Sequence, residues 1–318
     1  MTKISLNNSE KNPLVSIIII TYNSAKYVLE TLESAKAQTY KNIELIVSDD
    51  GSTDKTLEIC KNWIENNKER FVKTELISVE ENTGIPANCN RGLSAAKGEW
   101  IKFIAGDDIL LPNCILDNIN FVQTNKNINV LFSAVERYIN TFSINNYYKR
   151  IPEKYPNDFY NENISAYDQY KMLLLGDRIA YTPSIFIKRD ILFKVGLFDE
   201  RFKLIEDYPM WLRLTKSGIR LFFMDKVTVF HRISENSIHN NMKKNLVNVT
   251  FLRNEELRKI YVYPNINLKE KFLYKYDYIS NKFLILIFRN KINFISKSIR
   301  FILFKILRPI LKLILINV

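Results

Sequence analysis

Between residues 15 and 108, short apolar runs alternate four times with segments of helical periodicity, and this alternation restricts the fold more than any other feature. Val15-Ser16-Ile17-Ile18-Ile19-Ile20 is almost continuously β-branched, the pattern of a central strand buried on both faces. Apolar residues then recur at helical spacing from Tyr27 to Ala37, and a second run begins at Ile43 and ends at Ser48. Turn and capping residues, Asp50-Gly51-Ser52-Thr53-Asp54, lead into a helix over Thr56 to Trp63. Leu76 to Val79 is a third strand, Asn82-Thr83-Gly84 opens a helix through Ala96, and Lys97-Gly98-Glu99 turns into Trp100 to Ala105. Connections this short predict an α/β fold with a largely parallel, doubly wound sheet.

Two of these strands end in acidic pairs, Asp49-Asp50 and Asp107-Asp108. Both pairs should project from the carboxyl edge of one sheet, where open α/β folds bind ligands. Adjacent carboxylates repel, so donors or a cation must offset them; hard oxygens suit Mg²⁺ or Mn²⁺. Tyr22, at the tip of the first strand, is placed to pack on a base, and Asp50 to accept from a base or ribose donor.

After Pro112 the pattern is less regular. It predicts a helix over Asn113 to Thr124, a strand over Ile128 to Tyr138, an aromatic surface segment over Tyr147 to Phe159, and a strand over Tyr181 to Ile187. A further helix should run from Glu206 to Ser217 and end at Gly218. Glu206-Asp207 at its start suits either helix capping or proton removal from a hydroxyl.

The net charge of +12 and the pI near 9.4 invite a nucleic-acid reading. Eight of those charges come from Lys282 to Val318, which holds no acidic residue. There the cations are interleaved with long aliphatic side chains. On a helix, Lys297, Arg300, Lys305, Arg308 and Lys312 share one arc and the apolar residues the rest, a pattern suited to an anionic membrane surface. The alternative is packing against the protein or a second subunit. No stretch there is apolar enough for a membrane span. Cys60, Cys89 and Cys114 are scattered without metal-ligand spacing, consistent with a reducing compartment. Met1 to Pro13 is polar and lacks an apolar export segment, so the expected location is cytoplasmic.

Taken together, Val15 to Asn23, Val47 to Asp54, Asn82-Thr83-Gly84, Gly98 to Asp108, and Phe198-Asp199-Glu200 ahead of Glu206-Asp207 closely resemble the family 2 glycosyltransferases of the GT-A type. The resemblance covers about residues 13 to 232. It implies a GT-A domain over 1–232, with a mixed, mainly parallel sheet flanked by helices; beyond it, a helical connecting region over 233–281 and the basic amphipathic membrane-associating tail over 282–318 are expected from the charge pattern. It further implies that Tyr22, Asn23 and Asp50 contact the nucleotide sugar, Asp107 the ribose, and Asp108 the metal. Asp207 corresponds to the general base of inverting members. One departure is Asn88-Cys89-Asn90-Arg91-Gly92, where Cys89 stands at a position commonly occupied by arginine. In Val229 to Ser237, His231 is expected to complete a metal shell with Asp107 and Asp108, and Arg232 to clamp a diphosphate.

The implied activity is transfer of a sugar, UDP-linked by expectation, to a lipid-linked (polyprenyl) or growing surface glycan at the inner face of the cell membrane, with Mn²⁺ or Mg²⁺. A nucleotidyltransferase is the competing enzyme class, but residues 20–23 lack its glycine- and arginine-rich triphosphate loop. A basic nucleic-acid-binding protein is the competing reading from outside enzymes.

Overall fold

In the computed structural model, which describes residues 12–155, 158–179, 181–234, 245–247 and 254–316, β1 (Val15–Thr21) is the buried centre of a parallel core. It pairs in parallel with β2 (Ile43–Asp49) on one side and β4 (Trp100–Ala105) on the other, and β2 pairs with β3 (Lys73–Ser78). The intervening helices are α1 (Val28–Lys36), α2 (Thr56–Asn67) and α3 (Ile85–Ala95). Helix α3 lies so close to β1 that a Cβ on Gly92 would stand 2.5 Å from Ile18 Cγ2. Glycine is therefore required for that approach.

The sheet then turns mixed. Its remaining strands are β5 (Ile109–Leu110), β6 (Val130–Ile139), β7 (Tyr147–Ile151), β8 (Phe186–Lys188) and β9 (Leu221–Ile233). The strand order is β3-β2-β1-β4-β8-β6-β9-β5, with β7 on β6. Helices α4 (Cys114–Thr124), α5 (Ala166–Leu174), α6 (Arg189–Lys194) and α7 (Asp207–Lys216) complete this unit.

The expected strand over Tyr181 to Ile187 is corrected. Residues 182–184 form a single 3₁₀ turn, and only Phe186–Lys188 pairs as a strand. Pro183 cannot donate to a ladder, and its carbonyl with that of Ile185 accepts from the buried Lys102 Nζ, at 2.5 and 3.3 Å. The long strand β9 carries no strong strand signal because Asp225 and Lys226 interrupt its apolar pattern. Its antiparallel pairing sets Phe230 opposite Ile109 and Val229 opposite Leu110. Continued by one residue, that register brings His231 to Asp108.

Contacts divide the chain into two units, Met1–Arg232 and Ile233–Val318. In the second, α8 (Leu268–Phe288) starts from an Asn267–Glu270 capping box and stops where Arg289 turns left-handed at φ 50°. It runs across the expected division at residue 282. Helix α9 (Phe294–Phe301) is capped by Asn293, widens into a π-helical stretch (Ile302–Leu307), and continues as α10 (Arg308–Ile316). The core here is small: Leu246, Val247 and Leu284 are buried, with Ile285, Phe288, Ile299, Leu303 and Phe304 packed around them. Three such side chains contribute about 2 kcal/mol each by transfer from water. Arg308 leaves the expected basic arc to pair with Asp277 on α8 at 2.7 and 2.9 Å. The segment from Glu235 to Ser237, and Met1 to Lys11, lie outside the described residues.

Candidate active site

Parallel pairing brings the ends of β1, β2 and β4 to one edge, since Thr21 is level with Asp49 and Ile20 with Ala105. Tyr22, Asn23, Asp50, Asp107 and Asp108 follow directly. Tyr22 is 49% exposed and open to a ligand. Asn23 is built into the loop: its N–H donates to Ser52 Oγ, and its Oδ1 accepts from the Thr53 N–H at 2.9 Å. Asp49 is fully buried and accepts from Thr21 Oγ1, the Ser52 N–H and Ser52 Oγ, so it organises the turn.

Asp50 faces inward. Its Oδ1 accepts from Thr83 Oγ1 at 2.5 Å and from Arg91 at 3.2 Å, and its Oδ2 from the Gly84 N–H at 2.8 Å. Burial opposes its ionisation, but the donors of Thr83, Gly84 and Arg91 outweigh it and hold the carboxyl below its ordinary value. Arg91 also reaches Thr83 Oγ1 at 2.7 Å and Asn88 Oδ1 at 2.9 Å. Arg91 is therefore the cation that α3 supplies to this pocket, two residues from Cys89, where arginine is common. Sequence pattern alone could not tell this arrangement from a solvated surface arginine.

Around the second pair, His231 Nδ1 lies 3.1 and 3.0 Å from the two oxygens of Asp108, and the Arg232 N–H donates to Asp108 Oδ1 at 2.8 Å. Thr31 Oγ1 donates to the Asp108 carbonyl from α1. Burial would depress His231, but the charge and hydrogen bond of Asp108 overcome it and raise its pKa. Among the described residues the Asp107 carboxyl takes a donor only from its own N–H, and burial with the charge of Asp108 pushes it up to about 7. Two neighbouring carboxylates, one with open oxygens, fit a hard divalent cation whose shell is finished by ligand oxygens. Protein ligands alone do not form a closed cage: among the described residues no group of three or more His, Cys, Asp or Glu side chains is arranged around a metal.

The diphosphate clamp expected of Arg232 is corrected. Its residue is 2% exposed, and the guanidinium lies between the Tyr27 and Phe142 rings, 4.1 Å from each centroid. Nε donates to the Asp107 carbonyl at 2.8 Å, NH1 to the Asn140 carbonyl, and NH2 to Glu30 at 3.0 Å. A planar cation stacked on two aromatics and bonded along three edges is a structural fastener for the Asp107-Asp108 turn. The sequence reading missed Arg137 on β6, whose charge acts on both Asp108 and His231.

A second acidic group forms at the start of α7. Asp207 Oδ2 accepts from Thr182 Oγ1 at 2.9 Å and its Oδ1 from the Tyr208 N–H at 2.7 Å, while the helix N-terminus adds its dipole. Glu206 is raised to about 8 by burial and by Asp207; Asp177 is raised to about 7 by the same two causes in that order. Asp177 was not singled out in the sequence because it lies in a polar stretch thirty residues away. Asp207 is thus the acid of this cluster that takes hydrogen-bond donors, while burial raises Glu206 and Asp177.

The two acidic regions are joined through α3. The Ile85 N–H donates to the Lys203 carbonyl at 2.9 Å, and Asn90 bonds the Phe198 carbonyl and N–H together with Glu200 Oε1. Cys89, fully buried beneath them, has its thiol raised by burial and then by Glu206 and Asp50.

The fold is similar to that of S. aureus TarS, residues 1–349 in complex with UDP-GlcNAc, at a TM-score of 0.58 and 19% identity, covering 85% of this chain and 72% of that one. An uncharacterized glycosyltransferase of Rickettsia typhi is 33% identical over 224 residues, which is 70% of this chain and 65% of that protein, just under two thirds of its length. The Escherichia coli UDP-Glc:alpha-D-GlcNAc-diphosphoundecaprenol beta-1,3-glucosyltransferase WfaP is 32% identical over 239 residues, 74% of this chain and 83% of that protein. Residues 16–195 match the family model for glycosyl transferase family 2, and the chain belongs to that family.

Proposed function

We propose that this chain is an inverting glycosyltransferase that moves a sugar from a UDP-sugar to a hydroxyl of a lipid-linked or growing cell-surface glycan. The observation carrying this reading is the separation of two acidic regions on one α/β scaffold: Asp107-Asp108 with His231 at the sheet edge, and Asp207 with its own donors at a helix start. The donor class is supported by the UDP-GlcNAc complex of TarS and the UDP-Glc named for WfaP, and the acceptor class by the diphosphoundecaprenol acceptor named for WfaP.

Tyr22 stacks on the nucleoside. Asp50, with Arg91, shapes that pocket by fixing residues 83 and 84. Asp107 and Asp108, the latter steadied by His231, would hold Mn²⁺ or Mg²⁺, which would supply positive charge to the diphosphate. Asp207 accepts the proton of the acceptor hydroxyl as its oxygen attacks the anomeric carbon. The bond from that carbon to the diphosphate breaks on the opposite face, leaving inverted configuration.

The second unit is proposed to lie on the inner face of an anionic membrane. Exposed Phe294 (84%), Leu286 (77%), Ile295 (61%) and Leu313 (61%) support this. No helix among the described residues is long and apolar enough to cross a membrane.

The test is UDP release from UDP-glucose and UDP-GlcNAc with Mn²⁺ and a lipid-diphosphate sugar acceptor. Asp207→Asn should lower turnover by about 10²–10⁴ while UDP affinity stays within twofold. Turnover near wild type in that variant would refute the base assignment.

A further inference from the structure

Within the second unit, α9 and the π-helical stretch after it enclose one side of a cavity of about 470 Å³. Its polar lining is Lys297, Arg300 and Lys305, and its apolar lining is Leu246, Ile292, Phe301 and Phe304. Three cations and no acid surround an apolar floor. Lys297 and Lys305 have no carboxylate within ion-pairing distance among the described residues, whereas Arg308 a few residues on is neutralised by Asp277. Arg300 is held at the wall by donating to the Leu246 carbonyl.

Like charges gathered over hydrocarbon repel one another and favour an anion between them. An inorganic anion would satisfy the charges and leave the phenylalanines idle. A nucleic acid would leave the flanking aliphatic surface in water. An anionic amphiphile uses both features, and exposed apolar surface continues along α9: Phe301, in the lining, is 59% exposed and Phe294, on the same helix, 84%. The volume suits a headgroup and its nearest carbons, with the remaining chain lying along the exposed apolar face.

We propose that this cavity binds the phosphodiester headgroup of an anionic phospholipid, so that the second unit engages one lipid specifically as well as the charged surface generally. This rests on the membrane reading above. It goes further by assigning the contact to Lys297 and Lys305, not to the whole basic stretch.

The full chain is floated with vesicles of phosphatidylglycerol or of phosphatidylcholine. Wild type should float with the first only. Lys297→Gln/Lys305→Gln should bind about thirty-fold more weakly, following about fivefold per lysine lost near an anionic surface. Lys291→Gln/Lys312→Gln removes the same formal charge outside the cavity and should lose less than about fivefold, the share of a single lysine in contact with headgroups. Lys297→Arg/Lys305→Arg should restore binding, which separates lost charge from lost folding. Equal losses in the two glutamine pairs would overturn the cavity and leave general attraction in place. Displacement by inorganic phosphate at constant ionic strength would make this a free-anion site and also overturn the proposal. Failure of wild type to float on phosphatidylglycerol would instead refute the membrane reading itself.

Discussion

Glu206→Gln should make the catalytic unit more stable at alkaline pH and leave it nearly unchanged at acidic pH. Glu206 is raised from 4.5 to about 8 by burial, Asp207 and Asp177. Between those values an unfolded chain has released a proton that the folded protein keeps, so the folded state binds more protons and stability falls as pH rises. Below pH 4.5 the penalty is absent; above 8 it is complete. A displacement of this size corresponds to about 5 kcal/mol against the glutamate anion. Asp177 is raised to about 7 by burial and by Asp207, so part of the cluster's penalty remains when Glu206 is replaced. One substitution therefore recovers only part of the penalty, on the order of 2 kcal/mol.

Urea unfolding followed by tryptophan fluorescence measures this directly, because Trp63, Trp100 and Trp211 all lie in the first unit. The variant and wild type should coincide near pH 5 and diverge by about 2 kcal/mol near pH 8.5. A difference independent of pH would refute the assignment of a retained proton to Glu206.

Thr182→Val removes the donor to Asp207 Oδ2 and should lower kcat about tenfold, with Thr182→Ser near wild type; equal kcat in both variants would show that the hydroxyl does not position the base. Arg91→Ala strips the cation from the buried Asp50 carboxylate, so thermal stability should fall by about 2 kcal/mol and UDP titration should show weaker binding. Gly84→Ala forces a side chain at φ 102° and sets a Cβ 2.8 Å from Lys203 Cβ, which should cost about 2–4 kcal/mol in a thermal melt.

The α/β core was legible in the sequence because its strands are local, apolar and bounded by turn residues; β1, β2 and β4 need only short-range pattern to be found. The same holds for the acidic pairs, since a residue directly after a parallel strand must emerge at the sheet's carboxyl edge. Pattern fails where a long-range partner decides the outcome. Residues 181–185 carry strand-like composition, yet Pro183 and the carbonyls taken by buried Lys102 turn half of them into a 3₁₀ bend. Strand β9 exists because it pairs with β5, more than a hundred residues earlier, a contact no local window contains.

By itself the sequence determined the fold class, the acids at the sheet edge and the basic tail, since each follows from periodicity, adjacency or charge count. Tertiary structure alone decided how those charges are used. Arg232, a plausible phosphate ligand by type, is caged by Tyr27, Phe142 and two backbone carbonyls, while Arg91, unremarkable by type, is drawn to Asp50. Of two adjacent acids at one helix start, Asp207 receives the donors and Glu206 the desolvation. A side chain's charge state and availability depend on the dielectric and partners around it, and folding supplies both from distant parts of the chain.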